Sequence, residues 1–234
     1  MRTKTLLIAA AALAAGILAS SAQTYSQNIV GYVTQVLPVG YSLITVPLTA
    51  TNTGNTVPAP QALTCLQQND AVILWNGSGY STYSFVNYGV NFTWQYPDGT
   101  YGDVAPNVTL GQAFFYSNGQ GGPETNVFTG TVVLTNSIAL PVGYSLVGST
   151  PPVGGAVTNT ASFNFPLQQN DAMIVWNGSG YSTYSFVNYG VNFTWQYPDG
   201  TYGDTPPNLI VGQGLFYSNG QGGSETWNQQ VVVP

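Results

Sequence analysis

The chain has 234 residues, of which only 4 % are charged, and a formal net charge of −6. Arg2 and Lys4 are its only basic side chains and it has no His. That excludes a Ser-His-Asp triad, an imidazole metal site, a P-loop or Schiff-base lysine and the basic footprint of a nucleic-acid binder.

Residues 1–22 read as a secretory leader. Arg2 and Lys4 form the charged start, residues 6–19 an apolar stretch rich in Ala and Leu, and Ser20, Ser21 and Ala22 the small residues of a cleavage site. The apolar stretch is shorter than the ~20 residues that span a bilayer, so a cut leader fits better than an anchor. The expected mature chain starts at Gln23, carries no membrane span and is secreted or held at the cell surface. It keeps acidic groups but no basic side chain.

After the leader every segment has strand character: aromatic, β-branched and Thr residues punctuated by Gly, Pro, Asn and Asp. Residues 27–36, QNIVGYVTQV, extend with Ile29 and Val33 on one side and Val30, Tyr32 and Val36 on the other. A strand apolar on both faces calls for burial. Residues 70–75 form an apolar strand, Asn76-Gly77-Ser78-Gly79 a hairpin turn, and residues 80–86 an alternating return strand. Pro97-Asp98-Gly99 is a second turn, residues 108–117 another apolar strand, and residues 126–134 the last of the unit. Cys65, the only cysteine, cannot form an internal disulfide and reads as a small buried apolar residue.

The unit is written twice. Residues 66–103 recur at 167–204 with only Val72→Met173 and Leu74→Val175 changed, and Pro166 stands where the first copy has Cys65. LPVGYSL at 37–43 returns at 140–146, and GQAFFYSNGQGGPET at 111–125 returns as GQGLFYSNGQGGSET at 212–226. A period of about a hundred residues is far longer than a solenoid repeat and leaves room for a core in each copy. The expectation is all-β: two tandem β-sandwich or jelly-roll-like domains of about seven or eight strands, residues 23–130 and 131–234, packed end to end across a strand-like linker.

The order GYSLI, then NDAVILWNGSGYSTY, then GQAFFYSN resembles exported and cell-surface β modules of environmental bacteria. In these a GWNLIGNP-like strand precedes a W-G-x-Y hairpin and a PGQGFF-like strand. The opening YSQNIVGYV resembles the mature start of exported proteins of that kind. The resemblance covers nearly the whole mature chain, implies an exported β module, and brings no catalytic residue.

Asp98 and Asp103, with Asp199 and Asp204 in the second copy, flank the Gly-rich turn PDGTYGD. Carboxylates with nearby backbone carbonyls suit Ca²⁺ as one reading; the favoured one is turn-shaping alone with no cofactor, and the spacing is not that of an EF-hand. Paired carboxylates also serve glycosidases, but a module of about a hundred residues carrying a duplicated active site is a poor fit, so no enzyme is expected. Trp75, Trp94 and Tyr96, with Trp176, Trp195 and Tyr197, are candidates for stacking on an extracellular glycan; the competing role is core packing and cross-strand pairing. Asn-x-Ser/Thr triplets begin at Asn76, Asn91, Asn107, Asn177 and Asn192, as chance allows in so Asn- and Thr-rich a chain.

So few charges leave neighbouring molecules little to repel and sheet edges without their usual Lys guard. The leading expectation is therefore a non-enzymatic structural or adhesive protein of the cell surface or extracellular matrix. It would self-associate into filaments by strand addition. Ile29, Val30, Tyr32 and Val33 would supply the inserted strand, and the edge at Val231, Val232 and Val233 the acceptor. The alternative is a tandem carbohydrate-binding module.

Overall fold

The computed structural model describes residues 29–49, 55–88, 91–159, 163–189 and 192–231. The leader and two residues of the acceptor edge, Val232 and Val233, lie outside them. Almost every element is a strand. The first copy runs β1 (Val30–Leu37), β2 (Gly40–Thr45), β3 (Thr56–Pro58), the one-turn helix α1 (Ala59–Ala62), β4 (Ala71–Trp75), β5 (Tyr80–Tyr88), β6 (Asn91–Gln95), β7 (Tyr101–Gly102), β8 (Asn107–Thr109), β9 (Ala113–Asn118) and β10 (Glu124–Thr131). The second runs β11 (Thr135–Leu140), β12 (Gly143–Gly148), β13 (Gly155–Ala156), β14 (Ala172–Trp176), β15 (Tyr181–Tyr189), β16 (Asn192–Gln196), β17 (Tyr202–Gly203), β18 (Asn208–Leu209), β19 (Gly214–Asn219) and β20 (Glu225–Gln230). Among the described residues no helix is long and apolar enough to cross a membrane.

Each copy builds a six-stranded antiparallel sheet, in the order β2-β9-β4-β5-β6-β7 and β12-β19-β14-β15-β16-β17. Two ribbons lie over it: β1-β10 with β3-β8 in the first copy, β11-β20 with β13-β18 in the second. The hairpin between β4 and β5 closes because Asn76 Oδ1 accepts the N–H groups of Ser78 at 3.0 Å and Gly79 at 2.8 Å. Gly77 takes φ +98° there, a conformation that favours glycine. Between sheet and ribbons lies a core. In the first copy it joins Leu37 and Phe128 of the ribbon, Val57, Val108 and Leu63, and Val72, Trp94, Phe114 and Tyr116 of the sheet. The second copy has its counterpart around Leu140, Phe163, Met173, Trp195, Tyr217 and Trp227.

A third apolar cluster joins the copies through the other face of the sheets: Leu43, Ala113 and Phe115 against Leu146 and Phe216, flanked by Ile73, Trp75, Ile174 and Trp176. The contacts are reciprocal. Trp75 packs edge-on against Phe216 at 5.6 Å, and Trp176 against Phe115 at 5.5 Å. Thr45 N–H donates to Gly212 O at 2.8 Å, and Gly148 N–H to Gly111 O at 3.0 Å. The equivalent hydroxyls of Tyr80 and Tyr181 meet at 3.2 Å. This is the pattern of a two-fold, isologous interface within one chain. The copies therefore pack sheet face to sheet face, not end to end. The cause lies in β9, whose run Ala113-Phe114-Phe115-Tyr116 is apolar on both faces and buries both.

Each copy has ten strands among the described residues, more than the seven or eight expected. Residues 108–117 do not make one strand: Gly111, at φ +80°, turns the chain between β8 and β9. The last strand of the first copy begins earlier than expected, at Glu124, and ends at Thr131.

Candidate functional site

β1 pairs along its whole length with β10, from Val30 opposite Thr131 to Leu37 opposite Glu124. The leading strand thus folds back onto its own copy, and its exposure alternates. Val33 packs against the core, whereas Val30, Tyr32 and Val36 are 68 %, 77 % and 66 % exposed. Ile29 sits at its start, its carbonyl accepting the Val132 N–H at 2.7 Å. Burial on both faces, expected from the sequence, is not met, because β10 and the core cover only one. The outward face continues on β10 as Thr125, Val127, Thr129 and Thr131, so no charge interrupts it. β1's other edge has no strand partner among the described residues. At the far end of the chain, Val231 N–H donates to Leu134 O at 2.8 Å.

The aromatic residues divide. Trp94 and Trp195, 3 % and 2 % exposed, are core residues with no ring face open to a sugar. Each follows a buried threonine, Thr93 or Thr194, so both faces of β6 and β16 are covered there. Tyr96 and Tyr197 are half-buried, and each hydroxyl brackets a loop: Tyr96 Oη donates to Val104 O and accepts from Val104 N–H, both at 3.1 Å, and Tyr197 does the same at Thr205. Those hydroxyls are engaged in shaping the protein. Trp75 and Trp176 flank the seam between the copies. Trp176 Nε1 donates to Tyr41 O at 2.9 Å, whereas the buried Trp75 Nε1 has no partner among the described residues. Beside Trp176 the seam opens into a concavity of about 290 Å³ walled by Tyr41, Tyr80, Thr82, Phe115 and Tyr181. Tyr41, Tyr80 and Tyr181 are 51 %, 46 % and 48 % exposed.

The PDGTYGD turns are built by their own side chains. Asp98 Oδ1 accepts from Thr100 N–H at 3.0 Å and Thr100 Oγ1 at 2.7 Å, which holds its carboxyl below the usual range. Asp199 and Thr201 repeat this. Asp103 and Asp204 accept instead from the hydroxyls of Thr93 and Thr194, at 3.3 and 3.2 Å. Among the described residues no three His, Cys, Asp or Glu side chains gather where they could hold a metal ion.

Sequence reasoning passed over the most polar point of each core. Tyr116 Oη lies 2.6 Å from Asp70 Oδ2 and 2.5 Å from Glu124 Oε2. In the second copy Tyr217 Oη lies 2.6 Å from Asp171 and 2.8 Å from Glu225. Asp70 is fully buried and Glu124 only 6 % exposed. Asn69, at φ +74°, presents Asp70 from just before β4. Gly119 packs so close to it that an added Cβ would sit 2.2 Å from Asn69 O. Burial raises the Glu124 and Glu225 carboxyls and pushes both phenols far up. Cys65 Sγ is 3.7 Å from Tyr116 Oη, and burial pushes its thiol up to about 11. The available signal was an acid at the start of each of two strands, in one case two positions after the YSNGQGG run.

No family model matches the chain, and neither a curated protein nor a solved structure matches it.

Proposed function

We propose that this is a secreted, non-enzymatic structural or adhesive β protein of the cell surface or extracellular matrix that associates through β1. One observation carries the reading: an eight-residue strand whose outer edge has no strand partner among the described residues, and whose outward side chains, Val30, Tyr32 and Val36, are apolar and 66–77 % exposed. Natural edge strands are usually guarded by Lys, Pro, a bulge or a covering element. This one has none of the charge, and the chain around it has almost no charge to keep copies apart. Strand addition at that edge gives main-chain hydrogen bonds for affinity and the Val/Tyr face for register. The test follows mature protein by light scattering at neutral pH, alongside Tyr32→Lys and Val36→Lys. Concentration-dependent assemblies that both variants abolish are expected. A mature protein that stays monomeric at high concentration, or variants with unchanged assemblies, would sink the reading.

A second reading has its own observation. The seam concavity beside Trp176 exposes Tyr41, Tyr80 and Tyr181 around an apolar floor. Rings of that kind stack on the apolar faces of sugars while their hydroxyls stay wet. A neutral extracellular glycan fits such a wall. A glycan screen of the wild type and of Tyr41→Ala separates the readings: binding lost in the variant supports it, and no binding by the wild type removes it.

A further inference from the structure

We infer that each copy of the fold holds one buried carboxyl proton at neutral pH, shared through the Tyr116 and Tyr217 hydroxyls, and that losing it as pH rises loosens the β1-β10 and β11-β20 ribbons from their sheets.

Proton counting on the geometry requires it. A phenol has one hydrogen to donate. Tyr116 Oη is within hydrogen-bond distance of a carboxylate oxygen on each side, 2.6 Å from Asp70 and 2.5 Å from Glu124. With both acids ionised, one of these contacts would set lone pair against lone pair in a buried site. A second proton removes the conflict: Tyr116 donates to one acid and accepts from the other. The donors around the pair decide which acid carries it. Asp70 already accepts from the N–H groups of Gln67 at 2.6 Å and Gly119 at 3.0 Å and from the Gln120 amide at 3.0 Å, as an anion does. Glu124 has the Gln67 amide on Oε1 at 2.7 Å and, on Oε2, only the phenol. Glu124 is therefore the protonated acid.

The second copy repeats the carboxyl–tyrosine contacts and their donors, with Pro166 in place of Cys65. Asp171 accepts from Gln168, Gly220 and Gln221, and Glu225 accepts from the Gln168 amide and meets Tyr217. The groups facing each glutamate are Asp70, Tyr116 and Cys65 in the first copy and Asp171 and Tyr217 in the second. None is a base, and the chain's only cations are in its first four residues. Among the described residues no countercharge replaces a lost proton.

The position gives the proton its consequence. Glu124 opens β10 opposite Leu37 of β1, whereas Tyr116 is on β9 and Asp70 precedes β4. The shared proton joins ribbon to sheet. A carboxyl raised on folding stabilises fully below its unfolded value, ~4.3, and the stabilisation is lost as pH rises through the folded value. Between those values one proton makes the unfolding constant rise about tenfold per pH unit, and two copies about a hundredfold.

The test is thermal or urea unfolding of the full mature chain between about pH 4 and pH 8, below the range where thiols and phenols titrate. The double variant Glu124→Gln, Glu225→Gln keeps the hydrogen bonds without the titration. Wild type should lose stability steadily with pH while the double variant stays flat. A flat wild-type profile, or a double variant with the wild-type slope, would overturn the inference. Should the double variant not fold, infrared spectroscopy of the wild type decides alone. A protonated-carboxyl stretch is expected in the folded protein at neutral pH, vanishing on unfolding, and its absence overturns the inference.

Discussion

The two copies build the same six-stranded sheet, one each, and differ in the ribbon laid over it. Hairpin sequences at 66–103 and 167–204 are almost identical. Yet the outward face of β1 is Val30, Tyr32, Thr34 and Val36, and that of β11 is Thr135, Ser137 and Ala139. Opposite them stand Thr125, Val127 and Thr129 on β10, and Thr226, Asn228 and Gln230 on β20. The inner face differs too, while keeping one task. Asn126 Nδ2 donates to Ala62 O at 3.0 Å and Oδ1 accepts from Thr64 N–H at 2.7 Å. The matching Trp227 reaches the matching carbonyl, Phe163 O, with its indole N–H, and stacks on Phe165 at 3.8 Å. An amide and an indole, of very different volume, secure the same loop carbonyl. The sheet and the carboxyl–tyrosine cluster are therefore what the two copies keep in common, and the ribbon is where they diverge in surface.

Separating the copies breaks the comparison most severely. Residues 131–234 alone have a core of their own around Leu140, Phe163 and Trp227, but they expose Leu146, Ile174, Trp176 and Phe216 of the seam. Because the seam is isologous, that surface is its own complement. A cooperative melt and a homodimer in sedimentation are expected; a folded monomer would mean the seam contributes little, and a disordered chain that the copies depend on each other.

Next in size is Trp227→Ala, which empties a fully buried site and strips the Phe163 carbonyl of its donor. A loss of about 3–5 kcal/mol in urea unfolding is expected. Asn126→Ala should cost about 1–3 kcal/mol, through unsatisfied loop groups and not a large cavity. Equal losses would contradict the view that the two copies close the same loop by different physics.

On the surface, Tyr32→Lys should change stability by no more than about 0.5 kcal/mol while suppressing association. Ser137→Lys, on the matching ribbon of the second copy, should change neither. Association that survives the first and falls with the second would place the contact on the wrong ribbon.

The smallest effect is expected at Cys65. Pro166 occupies its place in the second copy, so Cys65→Ala should be nearly silent in unfolding. With its thiol pushed up to about 11, the folded protein should react slowly with a disulfide reagent at neutral pH and at an ordinary rate once unfolded. Fast labelling of the folded chain would show that the Tyr116 cluster does not shelter it.

Local chemistry determined a great deal by itself. The Asn76 and Asp98 turns form as their Asn-Gly and Asp-Gly sequences dictate, since each is closed by hydrogen bonds within three residues. The all-β class follows from the same short-range signals, and the duplication is plain in the letters. Long-range pairing decided the rest. Trp94 reads like Trp75, yet one is core and the other seam, because alternation along a strand reveals that two faces differ and not what covers each. The two-sided apolar run of β9 implied a second layer, but the partner that supplies it is the other copy's sheet, through β12, β14 and β19, a hundred residues away. Asp70, Tyr116 and Glu124 are up to 54 positions apart and meet only when the ribbon closes over the sheet; a proton held among them is a property of that closure, because burial without a countercharge exists only in the folded chain.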